Sequence, residues 1–148
     1  MKQISEKLYV APQVTASDIR QARAQGFAMI INNRPDGEEP GQPSASDSRS
    51  VAEGQELAYA HIPVTAGQIS ERQVRAFQEA LSEAEGPVLA HCKTGTRSAM
   101  LYAIGEVLDG RMGKGEVVPF GRSIGLDLSG AAIWLDAHGF QLADLISR

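Results

Sequence analysis

An apolar run at residues 87–91 (Pro87, Val88, Leu89, Ala90, His91) passes through a short glycine-bearing loop straight into helical composition over residues 97–108. A strand feeding a helix this directly is the working unit of a parallel sheet, whose strands need helical crossovers. The rest of the chain alternates in the same way. Strands are predicted at residues 7–11, 27–32 and 58–64. A helix at residues 19–25 has Ser17 and Asp18 as cap and Gly26 as stop. Another is expected around residues 47–57. A third opens at Ser70, carries Val74, Phe77 and Leu81 at three- and four-residue steps, and ends at Gly86-Pro87. The pattern predicts an α/β fold, one domain over 148 residues, with a mainly parallel central sheet flanked by helices. Trp134, between Ile133 and Leu135, is read as core on a C-terminal helix. Residues 110–130 give no clear pattern.

The junction at His91 carries the chemistry. The loop reads His91-Cys92-Lys93-Thr94-Gly95-Thr96-Arg97-Ser98. Ligands of open parallel sheets bind where strands end and helices begin. Backbone N–H groups of such a turn converge on one point, and the helix N-terminus adds partial positive charge. Arg97 supplies a planar, permanently charged fork for an anion. The same field favours the thiolate of Cys92, the nucleophilic form. A lone cytosolic cysteine is more often a buried small hydrophobe; the sequence around Cys92 favours a nucleophile. Ser98 is expected to donate a hydrogen bond to that sulfur or to a leaving group. Lys93, Thr94, Gly95 and Thr96 are expected to line the anion seat, and His91 to orient the loop.

Other classes are disfavoured. The formal net charge is −4 and the basic residues are scattered, so no nucleic-acid partner is expected. One cysteine and three separated histidines (His61, His91, His138) indicate neither a disulfide nor a metal site. No cofactor is called for. No apolar run is long enough to span a bilayer, and the first residues lack a signal-peptide core. A cytoplasmic protein with no membrane partner is the default expectation. His61 and His138 are read as structural.

Residues 34–50 hold three prolines and two glycines and are expected to form a long ordered loop. Arg34 and Asp36 are candidate supporting residues there. Asp36, Glu38 and Glu39 could fold over the site, although Pro35-Asp36-Gly37 is already a turn signal and a solvated turn is the plainer reading.

The chain resembles a bacterial family, the phosphatase-like domain of beta-lactamase hydrolase-like proteins, found alone or fused to persulfide dioxygenases. The matching pieces are Leu8-Tyr9-Val10-Ala11-Pro12-Gln13, the long-loop stretch Ile31-Asn32-Asn33-Arg34-Pro35-Asp36-Gly37-Glu38-Glu39-Pro40-Gly41-Gln42-Pro43, and the cysteine loop. Dual-specificity phosphatases and rhodanese sulfurtransferases share the cysteine loop more widely. The resemblance implies a dual-specificity-phosphatase-like fold with Cys92 as nucleophile and Arg97 as anion clamp.

Two departures bear on the reaction. Phosphatases of this group place five residues between cysteine and arginine, whereas here there are four, the rhodanese count. Their general acid, an aspartate in the loop after the preceding strand, has no counterpart at residues 63–69. The expected activity is therefore sulfur transfer through a Cys92 persulfide, fed by a small sulfur-containing anion or persulfide donor. A separate persulfide dioxygenase is a conceivable partner. A cysteine phosphatase is the first alternative, and an inactive anion- or partner-binding module the second.

Overall fold

The structure, a computed structural model, describes residues 1–139. Among these, β1 (Lys2–Gln3), β2 (Leu8–Ala11), β3 (Met29–Asn32), β4 (Ala58–His61) and β5 (Val88–His91) form one sheet in the order β1-β2-β5-β3-β4. The pairings are parallel except for β1 on β2, as the α/β expectation requires. Strand β1 was not foreseen. Lys2 and Gln3 are both exposed, so the pair carries no hydrophobic alternation and is held by its ladder to β2 alone.

Side-chain alternation sorts the sheet residues into two cores. Leu8, Val10, Met29, Ile31, Val88 and Ala90 pack on one face, against helices α3 (Glu71–Glu83), α4 (Thr96–Leu108) and α6 (Ser129–Ala137). Ala11, Ile30 and Leu89 pack on the other, with Ile19 and Ala22 of α1 (Ala16–Ala24) and Ala52 of α2 (Ala45–Gly54). Helix α4 is buried around most of its circumference: Leu101, Ala103, Ile104 and Val107 are all fully enclosed. It is the central helix of the fold, which fixes its first turn firmly.

Caps set the helix starts more sharply than periodicity does. Thr15 accepts from Asp18 N while the Asp18 carboxylate accepts from Thr15 N, so α1 begins ahead of the expected residue 19. Ser44 caps α2, so helix already begins inside the predicted 34–50 loop. Ser70 and Gln73 form a second capping box at α3. The unassigned 110–130 stretch holds a 3-10 turn at Lys114–Glu116 and α5 (Val117–Ser123). Trp134 is buried on α6 and donates from Nε1 to Ile69 O at 2.6 Å. Among the described residues no helix is long and apolar enough to cross a membrane.

The parallel register brings Ala11, His91, Asn32 and His61 to one level at the C-terminal edge of the sheet. Cys92 leaves the sheet at that edge.

Candidate active site

Gly95 makes the cysteine loop possible. Its φ is +94°, a left-handed conformation that costs an L side chain strain, and an added Cβ would lie 3.4 Å from Ala11 O. Gln13 N bonds Lys93 O at 3.1 Å and ties the loop to the end of β2. Gly95 is also the N-terminal cap of α4 and offers no side-chain cap. Thr96 N is taken by Thr94 Oγ1 at 3.4 Å, and the remaining first-turn N–H groups have no acceptor within the helix, which leaves them for a bound group. One donor is already aimed: Gly95 N lies 3.1 Å from Cys92 Sγ. Cys92 has no exposed surface.

Arg97 lies on the first turn of α4, near enough to Cys92 for the sulfur to help raise its pKa, after the larger effect of its Glu38 hydrogen bond. It therefore stays charged at any working pH. Its guanidinium donates from Nη1 to Val64 O at 2.9 Å and to Glu38 Oε2 at 2.8 Å, and from Nη2 to Glu38 Oε1 at 3.0 Å. Glu38 also accepts from Arg34 Nε at 2.8 Å. The hydrogen bonds from Arg97, first, and then from Arg34 outweigh desolvation and hold the Glu38 pKa down at about 2. The long loop thus folds onto the site, and Glu38 is the carboxylate that reaches it.

Arg34 is buried at 3% exposure; Nη1 donates to Gln13 Oε1 at 3.1 Å, while Nη2 makes no hydrogen bond and faces Glu39 Oε2 at 3.6 Å. Lys93 pairs with Glu39 at the rim. Arg34, Lys93 and Arg97 line one open cleft with Glu38, Glu39, Thr65 and Ala66. Three cations converge, with two carboxylates between them.

Several sequence-derived placements need correction. Ser98 does not donate to the sulfur. Its buried hydroxyl donates to Asn33 Oδ1 at 2.8 Å, because Asn33 follows the neighbouring strand β3 and sits across from it. Asn33 in turn donates from Nδ2 to Ile62 O and from its backbone to His91 O. It is a buried polar hub that the sequence reading passed over; its position one residue past an apolar strand was the available signal. Asp36 does not face the thiol either: its carboxylate accepts from Ala45 N at 2.8 Å and holds the start of α2. Thr94 and Thr96 bond to each other, Oγ1 to Oγ1 at 3.1 Å, which spends one donor on the other. His61 is structural, with Nε2 2.9 Å from Arg34 O. His138 stacks on Trp134.

His91 is fully buried; Nδ1 contacts Cys92 O at 3.4 Å, and Nε2 has no partner. Burial pushes its pKa down to about 4. It is neutral at pH 7 and steadies the loop. An unfolded chain would protonate this histidine near 6.5, so between pH 6.5 and 4 the unfolded state binds more protons. Stability falls with acidification across that window. The loss from this one group is on the order of 3 kcal/mol by pH 4. Urea unfolding at stepped pH should show the decline, and His91→Asn should flatten it.

Comparison with known proteins gives the family and the fold. Residues 1–109 match the family model "Beta-lactamase hydrolase-like protein, phosphatase-like domain". A beta-lactamase hydrolase-like protein of Agrobacterium fabrum is 48% identical over 90% of the chain, which spans 31% of that relative. The chain is thus about a third of the length of the curated relatives it matches. A candidate phosphatase from Neisseria meningitidis superposes with TM-score 0.81 at 34% identity, covering 92% of this chain and 96% of that one. TpbA of P. aeruginosa, in complex with pTyr, shares the fold at TM-score 0.67 and 20% identity, over 94% of this chain and 86% of its own.

Proposed function

The chain belongs to the phosphatase-like domain family of the beta-lactamase hydrolase-like proteins, and from that premise we propose that it is a cysteine-dependent phosphatase acting on an anionic phosphomonoester. The observation that carries the reading is the carboxylate already seated in the Arg97 fork, 2.8 and 3.0 Å from its nitrogens, beside the sulfur to which Gly95 N–H is aimed. A phosphoryl group presents two oxygens to a guanidinium much as that carboxylate does.

The steps follow from the positions. The substrate phosphoryl takes the Arg97 fork, and the loop amides and the α4 N-terminus hold its oxygens. Cys92 thiolate forms an S–P bond as the P–O bond to the leaving group breaks; the departing oxygen takes a proton. Water then attacks phosphorus, the S–P bond breaks, and inorganic phosphate leaves with Cys92 restored as thiolate. With no acid at residues 63–69, and with Glu38 held ionised by Arg97 and Arg34, the departing oxygen takes its proton from water. We place this activity in the cytoplasm.

Sulfur transfer is the second reading, favoured by the four-residue loop. There Cys92 thiolate takes the outer sulfur of thiosulfate and releases sulfite, and cyanide or a thiolate then removes it. A persulfide-processing partner belongs to this reading alone. The 34%-identical Neisseria neighbour is a candidate phosphatase and TpbA was solved with pTyr, which sets the order of the two.

One paired assay separates them. Offer a small aryl phosphate, and separately thiosulfate with cyanide, to the wild type and to Cys92→Ser. Cys92-dependent phosphate release supports the proposal. Thiocyanate without phosphate release overturns it in favour of sulfur transfer. Turnover of neither leaves a binding module.

A further inference from the structure

Arg34 does more here than hold the long loop. It is almost wholly buried, yet it lines the same open cleft as Arg97. Arg34 Nε donates to Glu38 Oε1 at 2.8 Å, and Arg97 Nη2 donates to that same oxygen at 3.0 Å, so two guanidinia meet on one acceptor. Arg97 Nη1 takes the other oxygen, Oε2. Both carboxylate oxygens are then in use, and Arg34 Nη2 is left buried with no hydrogen bond. Nε and Nη2 share one edge of a guanidinium, the pair that grips two oxygens side by side. Glu38 fills half of that edge because its second oxygen is turned to Arg97. A tetrahedral anion has a further oxygen to give.

The balance of charge points the same way. An anion that enters the Arg97 fork has to take it from Glu38. Were Glu38 to stay on Arg34 while this happened, its carboxylate would lie beside the incoming anion, like charge against like. If Glu38 leaves altogether, Arg34 loses its one hydrogen-bonded counter-ion. Its Nη1 rests on the neutral Gln13 amide, and Glu39, 3.6 Å from Nη2, is already paired with Lys93. A buried cation without its partner is costly, so the entering anion has to replace the carboxylate on both guanidinia. The base of the loop need not move for this: Gln42 Nε2 donates to Pro35 O at 2.9 Å and Ala45 N to Asp36, so Glu38 departs with the loop tip. We propose that Arg34 is a second substrate-binding residue, gripping the bound anion through Nε and Nη2 beside the Arg97 fork. The seat is a two-arginine clamp, one arm from the cysteine loop and the other from the chain just past β3.

This rests on the anion seat of the proposed function, and it is tested by binding. Crystals of the wild type with inorganic phosphate should show phosphate in the Arg97 fork, Arg34 Nε and Nη2 each about 3 Å from its oxygens, and Glu38 off both guanidinia. Phosphate held by Arg97 with Glu38 still on Arg34, or no phosphate in the fork at all, overturns the proposal. That arm leaves Arg34 unaltered, so it stands whether or not a variant folds. In solution, phosphate is titrated calorimetrically into Glu38→Gln and into Glu38→Gln with Arg34→Lys, a background in which no carboxylate has to be displaced. The added lysine keeps the charge and loses the two-donor edge, and it should weaken phosphate at least fivefold; a smaller loss in a folded double variant counts against the clamp. Failure of the phosphatase reading looks different. Contacts from both arginines without Cys92-dependent phosphate release would sink the chemistry and keep the clamp, and release with Arg34 still on Glu38 would do the reverse.

Discussion

Replacing Cys92 with serine should lower turnover of an aryl phosphate by at least ~10³-fold while leaving the fold intact. The argument is chemical. A thiol ionises within reach of neutral pH, and its thiolate is a strong nucleophile; a serine hydroxyl needs an adjacent base to act. His91 is the nearest histidine in sequence, and its ring is directed at Cys92 O, with Nε2 buried and unpaired. Serine in this loop would be left as a neutral hydroxyl. The packing cost is small. Oγ is shorter than Sγ, but Gly95 N–H still finds an acceptor, and the loop remains tied by Gln13 to Lys93 O. The prediction is checked by steady-state kinetics beside circular dichroism and a melting curve. Turnover within tenfold of the wild type, at unchanged melting temperature, would remove Cys92 from the reaction.

How much of this was legible in the sequence depends on the range over which each feature is determined. The cysteine loop was readable because its needs are local: a strand end, a glycine able to take φ +94°, and a helix start. The parallel sheet followed from alternation of element types, and only the polar Lys2–Gln3 strand escaped, because cross-strand pairing alone makes it. The partners of the loop side chains were less legible, since they come from distant sequence. Ser98 was assigned to the sulfur on proximity in the chain, yet its nearest acceptor proved to be Asn33, on the neighbouring strand. Asp36 and Glu38 are two positions apart; the sequence allows either to cover the site, and only Asp36 is singled out there as a supporting residue. Their separation depends on where α2 starts: Asp36 turns back to Ala45 N, while Glu38 turns in to Arg34 and Arg97. No spacing rule distinguishes the two. The direction of the long loop is set by two guanidinia, one of them buried, that need a counter-ion.

That dependence gives the second large effect. Arg97→Lys keeps the charge but loses the planar fork, and should cost kcat/KM ~10²-fold or more on an aryl phosphate. A lysine ammonium offers a single point, so it cannot hold two oxygens at the 2.8 and 3.0 Å that Arg97 holds on Glu38 while also bonding Val64 O. Arg97→Met removes the charge as well and should cost more, the difference reporting charge and the first step reporting geometry. The same pair of variants has a signature outside kinetics. Arg97 contributes the largest of the effects that hold Glu38 near pKa 2. In Arg97→Met the Glu38 carboxyl should titrate upward towards the ordinary glutamate range, held back only by Arg34, and carboxyl-detected NMR over pH 2–5 would follow it. If kcat/KM of Arg97→Lys stays within threefold of the wild type and Glu38 does not move in Arg97→Met, then the fork seen on Glu38 is a structural ion pair. The anion seat would then lie elsewhere along the loop amides.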